Sequence, residues 1–410
     1  MEKTRRRDFL KAGIGAAVAM GSPWPTAIGA GSADKPSPEI NARVAAVRGN
    51  NLDAMTRDAI DALGGVRAVV NEGETVFIKP NFVTVPWARH NRCFHVGECT
   101  KSEIVIAVTE ECLKAGAAEV IVGEGSHLPK FDWQHAVTLD GKTNLVEAAR
   151  RLSSKYDGKV TLACLETDSP GWVEVTSGTS LHKIAISSLV ANADKVISIP
   201  VAKTHCWAQL TLAAKNFIGV TPMSRYAQLI DNAWWNRGTF DHSSPGAVAQ
   251  VYLDIIKGKK VDLSIIDFSV CIEGDGPSRG QGGKTVNMKE RLGSWTVIAS
   301  TDIMAADATA ARIMSHDTRK IRHLTMGFEM GLGEIRKESI EMAGEKLDNL
   351  RVAWKPARMK GHKAQAWRGP RSAGKPTPRA SGPLGGGWRN AAGIRTAVGS
   401  QDSDTGSREV

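Results

Sequence analysis

The sequence predicts an α/β body: a doubly wound, mostly parallel sheet with helices on both faces and a small antiparallel hairpin insertion. Three observations predict it. Between residues 41 and 351 a short β-branched run is repeatedly followed by a polar or glycine turn and then by a helical pattern. The runs are continuously apolar, as strands covered on both faces are. The 410 residues, 42% hydrophobic and 23% charged, have the composition of a soluble globular chain with room for one large core or two lobes. Disorder throughout is excluded. Six Cys, no internal repeat and no apolar run near the roughly eighteen residues of a membrane span argue against a disulfide scaffold, a solenoid and a multi-span protein.

The strands follow in order. Residues 42–47 form the first candidate, and 75–78 run into Lys79-Pro80-Asn81. Residues 119–122 run into Gly123-Glu124-Gly125-Ser126-His127, and 160–164 form a further candidate. Residues 195–200 lead to Lys203-Thr204-His205, 261–266 to Asp267, and 295–299 to Ser300-Thr301-Asp302. Helices carry legible punctuation. One over 53–63 stops at Gly64-Gly65. Another opens at Ser102 as its N-cap, with Glu103 in the first turn and Gly116 beyond its end, and Asp302 stands before 303–314. Residues 172–186, two alternating runs about Gly178, read as an antiparallel hairpin added to the sheet.

The chain ends differ from the body. Thr4-Arg5-Arg6-Arg7-Asp8-Phe9-Leu10-Lys11, followed by a mild Gly/Ala-rich apolar stretch, looks like a twin-arginine (Tat) export signal over residues 1–33. That reading expects passage through the Tat translocase, often of a folded, cofactor-loaded protein, to a periplasm or the cell exterior. The apolar stretch is too short for a membrane anchor, so the processed chain is expected not to be integral to a membrane. The body is expected over 36–354, and 355–410, rich in Gly, Pro, Ser, Arg and Lys, reads as a disordered tail. Trp367 and Trp388 in that tail fit either a partner-binding segment or a reading-frame change. The formal charge of +10 is concentrated in the ends. Eleven Lys/Arg against three acids in 355–410, and six against three in 1–35, leave 36–354 at −1. A basic face for phosphate neutralisation is missing, so no specific nucleic-acid function is expected.

In an open α/β sheet, ligands bind beyond the carboxyl ends of the strands. Five candidate strands end in Lys79/Asn81, Glu124/Ser126/His127, Lys203/His205, Asp267 and Asp302, so these groups are expected at one rim. Lys79 and Asn81 supply a cation and a two-way hydrogen-bonder. Gly125 and Ser126 offer unobstructed backbone amides and a hydroxyl, without the third glycine of a dinucleotide fingerprint. Lys203, His205, Lys215 and Asn216 form the densest polar cluster, in which neighbouring ammonium groups depress one another's pKa. The catalytic candidates are His127, His205, Lys203 and Lys215; the substrate-binding candidates are Lys79, Asn81, Gly125, Ser126 and Asn216. Asp267, Glu273 and Asp302 are candidates for a hard divalent cation such as Mg²⁺ or Ca²⁺, with a mobile lid as the other reading of the acidic loop. Cys93 and Cys99 either pair as a disulfide or remain unliganded thiols, and no cysteine run for an iron–sulfur cluster exists.

The series Lys79-Pro80-Asn81, Gly123-Glu124-Gly125-Ser126, Lys203-Thr204-His205, Lys215-Asn216-Phe217-Ile218-Gly219, Asp267 with Glu273-Gly274-Asp275-Gly276-Pro277, and Ala299-Ser300-Thr301-Asp302 with Asp307 resembles the family catalogued as domain of unknown function 362. The likeness spans roughly residues 42–350. The resemblance implies no reaction. Many members carry a ferredoxin-like module that this chain lacks, so a redox role would require a partner protein. Gly125-Ser126-His127 after a strand is also similar to a turn in the nickel-pincer lactate racemase group, an analogy of fold. Three functions follow as expectations: an exported enzyme acting on a small anionic substrate, metal- or cofactor-dependent; a non-catalytic binding or assembly protein; or an electron-transfer subunit.

Overall fold

The computed structural model describes residues 39–84, 92–230, 233–235 and 237–361. The expected export signal, residues 1–33, and residues 362–410 lie outside the described residues. The strands are β1 Ala42–Gly49, β2 Thr75–Pro80, β3 Glu119–Glu124, β4 Lys159–Cys164, β5 Trp172–Thr176, β6 Lys183–Ser187, β7 Lys195–Ile199, β8 Val201–His205, β9 Gln209–Thr211, β10 Gln228–Ile230, β11 Ala233–Trp235, β12 Leu263–Gly274, β13 Gly283–Asn287, β14 Trp295–Ser300 and β15 Ile340–Gly344. The helices are α1 Leu52–Asp61, α2 Arg92–His95, α3 Ser102–Lys114, α4 Leu145–Lys155, α5 Leu165–Asp168, α6 Ser188–Ala191, α7 Met223–Tyr226, α8 Pro245–Gly258, α9 Met288–Leu292, α10 Ile303–Ile313 and α11 Arg322–Glu329.

The main sheet runs β15-β1-β14-β12-β7-β2-β3-β4, with β13 and the β8–β9 pair attached to β12. It is a mixed, mostly parallel sheet, because β2, β3, β4, β7 and β12 pair in parallel while β14 is antiparallel to both β1 and β12. Successive strand residues point to opposite faces and enter two cores. Phe77, Val196 and Ile298 join the core with α8 and α10, whereas Val76, Ile78, Ile197 and Val297 join the core with α1, α3 and α4. That division explains the continuously apolar strands: both faces are covered.

Most expected elements fall within a few residues of their observed bounds, and four differences have physical reasons. The 172–186 hairpin forms as β5 and β6, but as a separate two-stranded sheet. The Ala185 amide donates to the Tyr226 hydroxyl (2.8 Å), so a side chain takes the place of a neighbouring strand. Ser102 is the first residue of α3 rather than its cap. Lys101 holds the cap position without a side-chain hydrogen bond to the helix's first amides, and the Ser102 hydroxyl is buried without a partner among the described residues. Asp267 does not end a strand. It lies in the middle of the twelve-residue β12, which pairs first with β7 and then, past Pro200, with β8.

The fourth difference concerns the expected tail, whose first residues are held. Lys355 N–H donates to Glu273 Oε2 (2.9 Å), Arg358 N–H to Asp275 Oδ1 (2.8 Å) and Lys360 N–H to the Cys206 carbonyl (2.6 Å). The acids at the end of β12 bind this basic segment, which extends the packed chain to residue 361. Among the described residues no helix is long and apolar enough to cross a membrane.

Candidate functional site

Strands β2, β3 and β7 run in parallel and in register, Ile78 beside both Val122 and Ile197, so their carboxyl ends meet at one edge. Beyond that edge lies a cleft of about 160 Å³. Its walls include Lys79, Asn81, Glu124, Gly125 and His127 from the exits of β2 and β3, and Lys203 and His205 from β8. Lys215, Asn216 and Gly219 come from the 3₁₀ segment Lys215–Val220, joined by Arg237 and His242. A second hollow of about 300 Å³, lined by Thr179, Leu181, Phe240, Asp241 and Val251 among others, contains no cation or histidine.

Among the described residues, Glu124 is the carboxylate that lines the cleft with these cations. Lys79 Nζ is 2.5 Å from Glu124 Oε1 and also donates to the Pro80 carbonyl (2.6 Å), with both side chains buried. Glu124 Oε2 accepts the Phe82 amide (2.6 Å), which fixes the pair. The other cations meet neutral acceptors. Lys203 Nζ donates to Asn81 Oδ1 (2.9 Å) and the Glu98 carbonyl (2.7 Å). Arg237 donates to Thr221 Oγ1 (2.7 Å) and to the carbonyls of Thr221 and Gly125. Among the described residues no hydrogen bond or ion pair engages the Lys215 amine. Among the described residues no carboxylate bonds directly to Lys203, Lys215 or Arg237; Glu98 and Glu124 act on Lys203, and Glu124 and Glu166 on Arg237, only through space, and such a cluster of cations favours an anionic ligand.

The same burial depresses their pKa values. Burial pushes the Lys79 ammonium down against the pull of Glu124, and it pushes Lys203 down as well. Burial, then Lys203 and Arg237, bring Lys215 down to about 7. Burial lowers Arg237 to about 10, where it remains charged at neutral pH. His205 is held well below its ordinary value by burial first, then by Lys215, Lys203 and His242, so its ring is neutral. Its Nδ1 accepts the Trp207 amide (3.1 Å), which leaves the proton on Nε2 as a donor at the cleft.

The backbone permits this crowding at two glycines. A Cβ on Gly125 would lie 2.2 Å from the Gly219 carbonyl oxygen, and one on Gly219 would lie 3.0–3.1 Å from Lys79 Cε, Lys79 Nζ and Glu124 Oε1. The Gly-Glu-Gly turn and the Lys-Asn-Phe-Ile-Gly segment are thus in direct contact, far apart as they are in sequence.

Of the expected site residues, Lys79, Asn81, Gly125, His127, Lys203, His205, Lys215 and Asn216 line the cleft. Asn216 also acts as a brace, because its amide donates to the Lys79 carbonyl (2.7 Å) and Ser198 Oγ (3.2 Å). Ser126 is buried and does not itself line the cleft; its hydroxyl donates to the carbonyl of Val83, which does (3.0 Å).

The proposed cation ligands do not come together. Asp267 is fully buried beside Lys101 Nζ (3.3 Å) and accepts from Ser269. Glu273 stands six residues further along the same strand, about 20 Å away. There Arg291 and the Lys355 amide hold it. Asp302 is at the opposite edge of the sheet, because β14 is antiparallel, and it caps α10 at Ala305 and binds the Glu334 amide. Among the described residues no group of three or more His, Cys, Asp or Glu is placed to hold a metal ion. The six cysteines are free and buried; Cys99 Sγ lies 3.1 Å from Thr84 Oγ1.

Arg237, Trp207 and His242 were not among the expected site residues. Arg237 follows the short β11, which the sequence did not predict, and only its position as a lone cation between Trp234-Trp235 and Gly238 marks it in the sequence. Asp307 supports the site from behind. Its buried carboxylate accepts the Ala213 (2.7 Å) and Ala214 (3.1 Å) amides immediately before Lys215.

The chain is 26% identical over 294 residues to the thylakoid-associated protein sll1697 of Synechocystis sp., covering 70% of this chain and 78% of that one. Among solved structures it matches the lactate racemase apoprotein from Thermoanaerobacterium thermosaccharolyticum (12% identity, TM-score 0.33, 64% of this chain and 55% of that one). It also matches a Thermotoga maritima protein (11% identity, TM-score 0.38, 66% and 60%). It thus spans less than two thirds of either solved chain. A family model matches residues 76–312, from β2 to α10 and across every cleft-lining residue named above, and the chain therefore belongs to the domain of unknown function family DUF362.

Proposed function

We propose that the protein is an enzyme acting on a small anionic substrate in the cleft at the carboxyl edge of β2, β3 and β8. The observation that carries this reading is the set of three basic side chains, Lys203, Lys215 and Arg237, none bonded directly to a carboxylate among the described residues, around a cleft whose lining carboxylate, Glu124, is already paired with Lys79. A simple anion trap would keep its groups charged. Here a neutral His205 presents an Nε2–H donor beside an amine that exchanges its proton near pH 7, a pairing suited to acid–base chemistry. The cleft is smaller than the roughly 300–1,000 Å³ of drug-sized sites, which supports a substrate of a few heavy atoms.

Calorimetric titration with inorganic phosphate, oxalate and lactate tests the reading. At least one is expected to bind, with affinity falling as salt rises, and Lys203→Met or Arg237→Met is expected to weaken it about tenfold or more. Absence of heat and of any thermal shift with all three would overturn it.

We also read residues 1–33 as a twin-arginine export signal. Fused to a reporter, they are expected to direct export that a double Arg6→Lys, Arg7→Lys change abolishes; undiminished export of the double variant would refute this.

A further inference from the structure

We propose that the substrate is a small 2-oxo acid and that the Lys215 amine adds to its carbonyl carbon to form an imine. The inference rests on the anionic-substrate reading above and adds the reacting group. Lys215 lines the cleft, and among the described residues no acceptor or carboxylate holds its amine, unlike Lys79 and Lys203, which are each tied to two oxygens. A lysine so placed is free to bond to a ligand. The groups around it are Lys203 and His205 from β8, Cys206 beyond it, Arg237, and His242, which also lines the cleft beside His205. None is a carboxylate that would keep the amine protonated. Burial among these cations lowers its pKa to about 7, which leaves roughly half of the amine unprotonated at neutral pH.

The two functional groups of a 2-oxo acid match the two kinds of group in the cleft. Arg237 and Lys203 meet the carboxylate, while the Nε2–H of neutral His205 is available to the carbonyl oxygen as charge develops there. In the addition, the Lys215 nitrogen lone pair forms a bond to the carbonyl carbon as the C=O π pair moves to oxygen. A proton then passes from nitrogen to that oxygen to give the carbinolamine. A second proton, from a cleft ammonium or solvent, completes a water molecule that leaves as the nitrogen lone pair closes the C=N bond, and the iminium N–H returns a proton so that none is consumed. The balance is amine plus 2-oxo acid to imine plus water, with no change of oxidation state.

The test uses the full chain with glyoxylate and pyruvate as probes, sodium cyanoborohydride to reduce any imine, and peptide mass mapping. Expected is a secondary amine adduct at Lys215 formed at least tenfold faster than at any other lysine, with a rate that rises through pH 6–8. Acetaldehyde, which lacks the carboxylate, is expected to lose that preference. Lys215→Arg should lose the adduct, while oxalate binding to the unsubstituted protein reads the anion site independently. Calorimetric binding of pyruvate with no Lys215 adduct, or adducts spread evenly over surface lysines, would overturn the imine while leaving the anion site standing. No binding of any oxoanion and no trapping would overturn both.

Discussion

At the level of single residues, the cleft is a place where charge is held at a cost to folding. Lys215 has a folded pKa of about 7 against an ordinary 10.5. Between those values the unfolded chain binds more protons than the folded one, so stability rises with pH through this window, and the charged amine is destabilising below it. Lys215→Met is therefore expected to stabilise the protein at pH 6 by about 1–2 kcal/mol, an advantage that shrinks toward pH 10, and to weaken oxoanion binding. Thermal melts across pH 6–10 check both the sign and the window. Glu124→Gln has the opposite consequence, because it leaves the Lys79 ammonium buried without its counter-charge. A loss of about 3–5 kcal/mol is expected in denaturant unfolding, less where Lys79 sheds its proton. Lys79, Lys203, His205 and Lys215 were legible in the sequence as polar groups after apolar runs. Arg237 was not, because its place in the cleft depends on a chain path that no local pattern encodes.

At the level of elements, the site depends on how turns and helix ends meet. Asp307 lies in the second turn of α10, yet its carboxylate receives the two amides that precede Lys215. Asp307→Ala would leave both buried donors unmet, at an expected cost of about 2–4 kcal/mol in denaturant unfolding. Weaker oxoanion binding should accompany that loss, since the Lys215 segment loses its anchor. Gly125→Ala is expected to cost about 1–3 kcal/mol and to weaken the same binding, because the added methyl would collide with the Gly219 carbonyl. Urea unfolding and calorimetry on one preparation measure both effects. Strand and helix positions were readable because buried parallel strands are apolar throughout and the Asp302 cap stands directly before its helix. Strand direction was not readable. β14 ends in the same Ser-Thr-Asp pattern that would mark a site, but it runs antiparallel and delivers Asp302 to the far edge.

For the whole molecule, the segment following Trp354 ties together parts of the body that are distant in sequence. Lys355 bonds to Glu273 and to Gly274 at the end of β12, Arg358 pairs with Asp275, and Lys360 reaches the Cys206 carbonyl next to His205. Truncation after Trp354 is expected to lower stability by about 1–2 kcal/mol, less in high salt because the Arg358 side chain is exposed. Melting curves at two salt concentrations test this. The same contacts explain why Glu273 reads as a cation ligand in sequence: an acid in a glycine-rich loop looks available until the basic segment that occupies it is placed. By itself, then, the sequence determined the layered α/β class, the order of most elements and the lysines and histidines at the exits of β2, β3 and β8, because burial period and turn chemistry are local properties of the chain. Only the tertiary structure decided which of the charged groups share a cleft and which pair elsewhere, because strand direction and long-range ion pairs depend on residues a hundred or more positions apart.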